Sequence, residues 1–118
     1  MRSKRPATRI DTELRASSPF AGLQPDSRII NLSTSGAFIQ TTEPLPVETI
    51  FALNFWLPGD SAAITVHARV IWSRSTHSLA PPGIGIEFTS ITPDHKNKLA
   101  DFVQQNIWGD SPTPTDSL

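Results

Sequence analysis

The chain has 118 residues, a mass of 12.9 kDa and a formal net charge of −1, from ten Lys and Arg against eleven Asp and Glu. This length suits one domain, and the near-neutral charge argues against a strongly basic protein that binds long nucleic acids. No cysteine is present, which excludes disulfides, thiolate metal ligands and a cysteine nucleophile. No apolar run is long enough for a secretory signal or a membrane-spanning helix, so we expect a cytoplasmic location without membrane insertion.

The charges are unevenly distributed along the chain. Residues 1–9 contain no acid and four basic side chains, those of Arg2, Lys4, Arg5 and Arg9. Because the whole chain carries −1, residues 10–118 carry −5. The near-zero total is therefore the average of a basic N-terminal segment, which attracts anions, and a slightly acidic remainder.

Short runs of alternating apolar residues, separated by turn residues, fill the middle of the chain and predict an all-β barrel or sandwich. Six strands are predicted, over residues 9–15, 27–33, 37–41, 49–57, 64–73 and 83–88. In the second strand the alternation places Ile30 and Leu32 on one face, with Ile29, Asn31 and Ser33 on the other. The fourth strand turns Phe51, Leu53, Phe55 and Leu57 inward. The fifth strand has the most regular alternation, and its inward positions are Ile64, Val66, Ala68, Val70 and Trp72.

The periodicity changes after the sixth strand and predicts a C-terminal helix. Thr92 is the expected N-cap, Pro93 occupies the first helical position, and an apolar stripe follows at Leu99, Phe102, Val103 and Ile107. Such a helix would close one end of a barrel. We therefore predict a flexible basic arm over 1–9, a folded domain over 10–108 and a disordered tail over 109–118, where Pro, Ser, Thr and Asp predominate.

Two arginines four positions apart, Arg5 and Arg9, form the first candidate binding motif. Pro6 favours an extended backbone at Arg5, which would separate the two α-carbons by roughly 13 Å at 3.3 Å per residue. That spacing suits two contacts with one elongated anion, because each guanidinium can bind a phosphate, pair with guanine O6 and N7, or stack on a purine. A solvated basic arm without a ligand is the alternative interpretation.

The second candidate motif runs from Asn31 to Gly36, where a strand enters a turn. Period-two geometry places the Asn31 amide and the Ser33 hydroxyl side by side, where they can hydrogen-bond to the edge of a base. Gly36 permits a tight turn and close approach of a ligand. An ordinary turn rich in Asn, Ser and Gly is the alternative interpretation.

Together, the two motifs resemble those of the PilZ domain family, in which an RxxxR arm precedes a β-domain that carries (D/N)xSxxG. The segment Gly83–Phe88 is similar to the family's late glycine-containing strand, and the following helix also agrees. The resemblance covers about residues 4–107. It implies a mainly β fold, a six-stranded antiparallel β-barrel with a C-terminal α-helix.

The resemblance also implies a function: non-catalytic binding of the bacterial second messenger cyclic di-GMP, with the signal relayed to a partner protein. Residue by residue, Arg5 and Arg9 would hold phosphates and guanines, Asn31 and Ser33 would contact a guanine edge, and Gly36 would shape the turn. Two further candidate ligand-binding residues are Lys4 and Gly85. In the family, the position of Lys4 influences whether one ligand or a stacked pair is bound. An Asn at position 31, where the family also uses Asp, offers one acceptor oxygen instead of two.

The downstream partner is not specified by these residues, and pilus, flagellar and exopolysaccharide machinery are the candidates that the family suggests, which links the protein to motility and biofilm formation. The main alternative function is a ligand-independent PilZ-type adaptor in type IV pilus assembly or motility. A single-stranded nucleic-acid-binding barrel is a third, which would require aromatic and basic residues interleaved on one face.

An enzyme is the least favoured class. The sequence contains neither a GxSxG nucleophile turn nor a phosphate-binding GxxxxGK(S/T) loop. His67, His77 and His95 lack the spacing of a metal site, so we expect neither a metal ion nor a cofactor beyond the ligand itself.

Overall fold

The computed structural model describes residues 9–75 and 79–110. These residues contain six strands and a C-terminal helix: β1 (Ile10–Ser17), β2 (Arg28–Leu32), β3 (Gly36–Gln40), β4 (Ile50–Phe55), β5 (Ile64–Arg74), β6 (Gly83–Ile91) and α1 (Pro93–Asp110). A 3-10 helix, Pro19–Ala21, follows β1. The strands close into a barrel in the order β1-β2-β3-β6-β5-β4, with every neighbouring pair antiparallel. The predicted six-stranded antiparallel barrel with a C-terminal helix is confirmed.

Alternate side chains of the strands fill the barrel interior. All four predicted inward residues of the fourth strand are buried, as are Ile64, Val66, Ala68 and Val70 of β5. The longest ladder joins β5 to β6. Strand β6 ends at Ile91, three residues beyond the predicted end at residue 88. Burial of these branched and aromatic side chains supplies the main driving force that closes the barrel.

A β-bulge in β2 changes the side-chain alternation that the sequence predicted there. The pairing register with β3 shifts between Ile29 and Asn31. As a result Ile29 and Leu32 are both fully buried and Ile30 is only partly buried, so the prediction that Ile30 and Leu32 share a face opposite Ile29 is wrong. A bulge places two residues of one strand opposite a single partner residue, and each residue beyond it changes face.

A second bulge, in β5, turns Trp72 outward. The pairing register with β6 shifts between Val70 and Trp72. Val70 is fully buried, whereas Trp72 is 41% exposed, so the predicted inward position of Trp72 is wrong. The same shift places a large aromatic side chain on the outer surface of the barrel, beside β3 and β6.

Helix α1 begins as predicted and packs its apolar stripe on the barrel. Thr92 caps it, because its carbonyl accepts from the Lys96 N–H at 2.8 Å and its hydroxyl accepts from the His95 N–H at 3.4 Å. Leu99 and Val103 belong to the buried core, with Phe102 and Ile107 packed against it. The helix continues to Asp110, two residues past the predicted boundary at 108. No helix among residues 9–75 and 79–110 combines the length and apolar character needed to span a membrane.

Candidate functional site

Two adjacent depressions on the outer face of the barrel share one cation, Arg9. The first has a volume of about 320 Å³ and is lined by Arg9, Asn31, Ala37, Phe38, Ile71, Trp72, Gly85 and Ile86. The second has a volume of about 390 Å³ and is lined by Arg9, Ser35, Gly36, Ile71, Ile86, Glu87 and Phe88. Because both contain Arg9, Ile71 and Ile86, we treat them as one surface and call it the Arg9 groove.

Arg9 and Asn31 contact each other in the lining of the first depression. The Arg9 Nη1 donates a 2.6 Å hydrogen bond to Oδ1 of Asn31. The guanidinium has five N–H donors in total, so most of them stay available to an anion. The amide of Asn31 presents its NH₂ group as a donor, because its oxygen is engaged by Arg9. The pair therefore offers a positive charge and a neutral donor side by side.

The Ser33 side chain acts inside the turn between β2 and β3. Ser33 is fully buried, and its Oγ accepts hydrogen bonds from the backbone N–H groups of Ser35 and Gly36, both at 3.1 Å. The backbone N–H of Ser33 donates to the Gly36 carbonyl at 2.9 Å. The structure thus shows Ser33 organising a tight turn through its own hydrogen bonds, while Asn31 lines the groove.

Gly36 lies at a point of close approach between β3 and β6. It pairs with Glu87, and a β-carbon at Gly36 would collide with the backbone carbonyl oxygen of Ile86. A backbone atom cannot move aside as a flexible side chain does, so a larger residue would disturb the β3–β6 ladder. The glycine therefore keeps the floor of the groove flat, as well as allowing the turn.

An aromatic pair forms one end of the groove. The Trp72 and Phe38 rings are stacked, with centroids 5.3 Å apart and an angle of 14° between the ring planes. The indole of Trp72 lies over Gly85, where a β-carbon would collide with its Nε1 and Cε2 atoms. The Arg74 guanidinium lies 5.3 Å from the Trp72 ring centroid and 5.1 Å from that of Phe38, and its Nε donates to the Pro81 carbonyl at 2.7 Å. These contacts hold Trp72 in place while part of its surface stays accessible.

A carboxylate, Glu87, stands at the other end of the groove. Its Oε2 accepts a hydrogen bond of 3.1 Å from Nη2 of Arg69, and Nη1 of Arg69 contacts Oε1 of Glu48, also at 3.1 Å. The hydrogen bond that Arg69 donates to Glu87, and then the one that it donates to Glu48, raise the pKa of Arg69 above its ordinary value. Arg69 therefore stays charged at neutral pH, and its partners lie close to a permanent cation.

The structure brings together some of the residues singled out from the sequence. Arg9, Asn31, Gly36 and Gly85 all line the Arg9 groove, and Ser33 organises the turn that leads to Gly36. Lys4 and Arg5, with most of the basic arm, lie outside the described residues, as does most of the proposed tail. Sequence reasoning missed Phe38, Ile71 and Glu87 as groove residues. The sequence feature that came nearest to indicating this groove was Gly85, because a glycine within a strand often marks a place where another group approaches the backbone closely.

Three other depressions in the described residues contain none of the binding residues that the sequence singled out, although two of them hold charged side chains, Arg15 in one and Asp60, Lys98 and Asp101 in the other. A larger depression of about 490 Å³ lies against β4 and the 3-10 helix, and its lining contains no charged side chain. Among the described residues no group of three or more His, Asp or Glu is placed to bind a metal ion. The Arg9 groove, with its cation, amide, carboxylate and aromatic face, is therefore the best candidate site on this part of the chain.

Comparison with known proteins identifies the class. The family model for the PilZ domain matches residues 3–105. Because this match covers most of the sequence, the chain belongs to the PilZ domain family. The family is one of typically non-catalytic cyclic di-GMP receptors, and the match points to no enzyme family.

Two solved structures share the fold. The Inhibitor of motility from Bacillus subtilis (MotI/DgrA) superposes with a TM-score of 0.73 at 16% identity, covering 92% of this chain and 53% of that one. The chain thus spans about half the length of that protein. The PilZ domain of YcgR from Escherichia coli, solved with cyclic di-GMP, superposes with a TM-score of 0.65 at 14% identity, covering 90% and 93% of the two chains. No curated protein sequence matches this chain.

Proposed function

We propose that this protein binds cyclic di-GMP in the Arg9 groove and acts as a non-catalytic receptor. The observation that carries the proposal is that Arg9 lines both of two depressions that share part of their walls. Cyclic di-GMP has a core of two phosphates and a guanine on each side. A cation that lines two depressions complements that arrangement of charge and shape.

Each groove residue has a role that follows from its chemistry. The Arg9 guanidinium binds a phosphate, and Arg5, four residues earlier, binds the second phosphate or stacks on a guanine. The Asn31 NH₂ group donates to O6 or N7 of a guanine, since its oxygen already accepts from Arg9. Ser33 and Gly36 act through the turn and the groove floor, and Lys4 adds a further positive charge.

The exposed indole of Trp72 supplies a stacking surface for one guanine. Bases stack on aromatic side chains with a contribution of about 1–3 kcal/mol per base. Gly85 contributes by leaving room for the indole to lie flat against β6. This arrangement would give the first depression one base, and the second depression is then available to the other.

Family membership supports the same ligand. The PilZ domain of YcgR has been solved with cyclic di-GMP bound, and it matches this chain over nine-tenths of both lengths. We propose that the ligand-bound groove is recognised by a downstream protein, with pilus, flagellar and exopolysaccharide machinery as candidates. The similarity to an inhibitor of motility makes flagellar machinery the first candidate to test.

Isothermal titration calorimetry of the full chain with cyclic di-GMP tests the proposal. Saturable heat with a stoichiometry of one ligand or of a stacked pair per chain would support a receptor. No heat at high protein concentration would contradict it and favour the ligand-independent adaptor. Binding of oligonucleotides that weakens steeply with salt would instead favour the nucleic-acid-binding barrel.

A further inference from the structure

A carboxylate in a groove that binds a diphosphate needs an explanation. Glu87 lines the same depression as Arg9 and Gly36, although its negative charge would repel phosphate oxygens. Its side chain is 44% exposed, so it is accessible to a ligand and is not a buried structural group. The position of Glu87 therefore indicates a contact with a part of the ligand that donates hydrogen bonds.

Guanine is the part of cyclic di-GMP that offers such donors. Its N1–H and N2–H groups lie side by side on one edge, and two carboxylate oxygens accept from both together. Asn31 is less suited to this edge, because it has one acceptor oxygen for two adjacent donors, and that oxygen already accepts from Arg9 at 2.6 Å. Among the described residues that line the Arg9 groove, Glu87 carries the only carboxylate.

The ion pair with Arg69 presents the Glu87 carboxylate in a fixed position. Arg69 lies directly opposite Glu87 in the β5–β6 ladder and holds its Oε2 at 3.1 Å. Within the part of the chain that the structure describes, Oε1 of Glu87 has no hydrogen-bond donor. An ionised carboxylate accepts at about four lone-pair positions, so the Arg69 contact leaves both oxygens able to accept from a base.

Resting on the proposed function, we propose that Glu87 accepts hydrogen bonds from N1–H and N2–H of one guanine of cyclic di-GMP. Glu87 is then the residue that selects guanine over other purines in the second depression. Adenine would place the lone pair of its N1 against the carboxylate, and hypoxanthine lacks the N2 amino group. Asn31 and Trp72 in the first depression contact the other base.

The test compares cyclic di-GMP with cyclic di-IMP, which differs only in lacking the N2 amino group on both bases. Wild-type protein is expected to bind cyclic di-GMP at least about tenfold more tightly, which corresponds to about 1.4 kcal/mol. Glu87→Gln keeps the size of the side chain but loses one acceptor, so we expect the ratio of the two dissociation constants to fall to about threefold or less. Because the Glu87–Arg69 pair is exposed, the melting temperature should stay close to that of wild type.

Glu48→Gln is the matched control. It removes the other carboxylate of Arg69, which does not line the groove, and is expected to keep the wild-type ratio. An unchanged ratio in Glu87→Gln would overturn the proposal. So would tighter binding of both ligands by Glu87→Gln, since that result would place the carboxylate against the phosphates. Failure of wild-type protein to bind either dinucleotide would instead overturn the proposed function.

Discussion

Arg9 and Asn31 are joined by a hydrogen bond of 2.6 Å that spans 22 positions of the sequence. The contact holds the guanidinium where it lines both depressions, and it leaves the NH₂ group of Asn31 as a donor. A groove prepared in this way needs less side-chain ordering when a ligand arrives, which favours affinity. Arg9 is therefore the residue whose removal should affect ligand binding most directly.

We predict that Arg9→Ala weakens binding of cyclic di-GMP by at least about tenfold, a loss of about 1.4 kcal/mol. The thermal stability of the Arg9→Ala variant should stay close to that of wild type, because Arg9 is exposed and one exposed hydrogen bond contributes about 1 kcal/mol or less. Arg5→Ala is expected to behave in the same way. Calorimetric titration and thermal melting of each variant measure the two quantities, and a wild-type affinity in both variants would contradict the site assignment.

We predict that Ser33→Ala destabilises the fold by about 1–3 kcal/mol, because two backbone N–H groups lose their common acceptor and that of Gly36 is buried. Denaturant unfolding measures the change. Ser35→Ala is the control, because Ser35 is exposed and its replacement leaves both N–H bonds to Ser33 in place. Equal unfolding midpoints for Ser33→Ala and wild type would show that the hydroxyl does not hold the turn.

We predict that Trp72→Leu lowers the affinity for cyclic di-GMP by about tenfold, within the 1–3 kcal/mol range of base–aromatic stacking. Trp56→Leu is the matched control, because Trp56 stacks with Arg15 away from the groove. Binding to wild type should also change the tryptophan fluorescence. If Trp72→Leu and Trp56→Leu bind equally well, the indole does not contact a base.

We predict that Gly85→Ala destabilises wild-type protein by about 1–3 kcal/mol through overpacking against the Trp72 indole. In a Trp72→Ala background the same change should cost much less, because the obstructing ring is absent. Denaturant unfolding of both single variants and the double variant gives the coupling between the two positions. Additive effects would show that Gly85 and Trp72 do not depend on each other.

We predict that Leu99→Ala lowers the free energy of unfolding by about 2–5 kcal/mol, since Leu99 is fully buried between α1 and the barrel. Leu99 does not line the Arg9 groove, so the remaining folded protein should bind cyclic di-GMP with wild-type affinity. Unfolding curves together with titration below the melting transition separate the two effects. A large loss of affinity without a loss of stability would contradict the prediction that Leu99 stabilises the fold and does not affect ligand binding.

Most of the fold was predictable from the sequence because alternation along a strand and the stripe of a helix are local patterns. The six strands, the inward faces of β4 and of most of β5, and the Thr92 cap all follow from residues close together in the chain. The two bulges were not predictable. Each arises from a shift of pairing between neighbouring strands, at Ile29–Asn31 and at Val70–Trp72, and neither has a local sequence signature.

In the candidate site, too, residues in local motifs were predictable from the sequence, whereas residues placed by strand pairing were not. Arg9, Asn31, Gly36 and Gly85 were identified from motifs and their resemblance to a family, and they do line one groove. Glu87 was not identified, because its place beside Gly36 depends on the β3–β6 register. The burial of Ser33 was also missed, since the hydroxyl of an Asn-Ser-Gly turn can face either solvent or the backbone.

The central claim, that the Arg9 groove binds cyclic di-GMP, is tested most directly by calorimetric titration of three proteins side by side. Arg28→Ala serves as the control, because its guanidinium donates to the Ser27 carbonyl at 2.9 Å and does not line the groove. We predict saturable binding to wild type and Arg28→Ala with equal affinity, and binding at least about tenfold weaker to Arg9→Ala. Equal binding to all three proteins, or no binding to wild type, would contradict the claim.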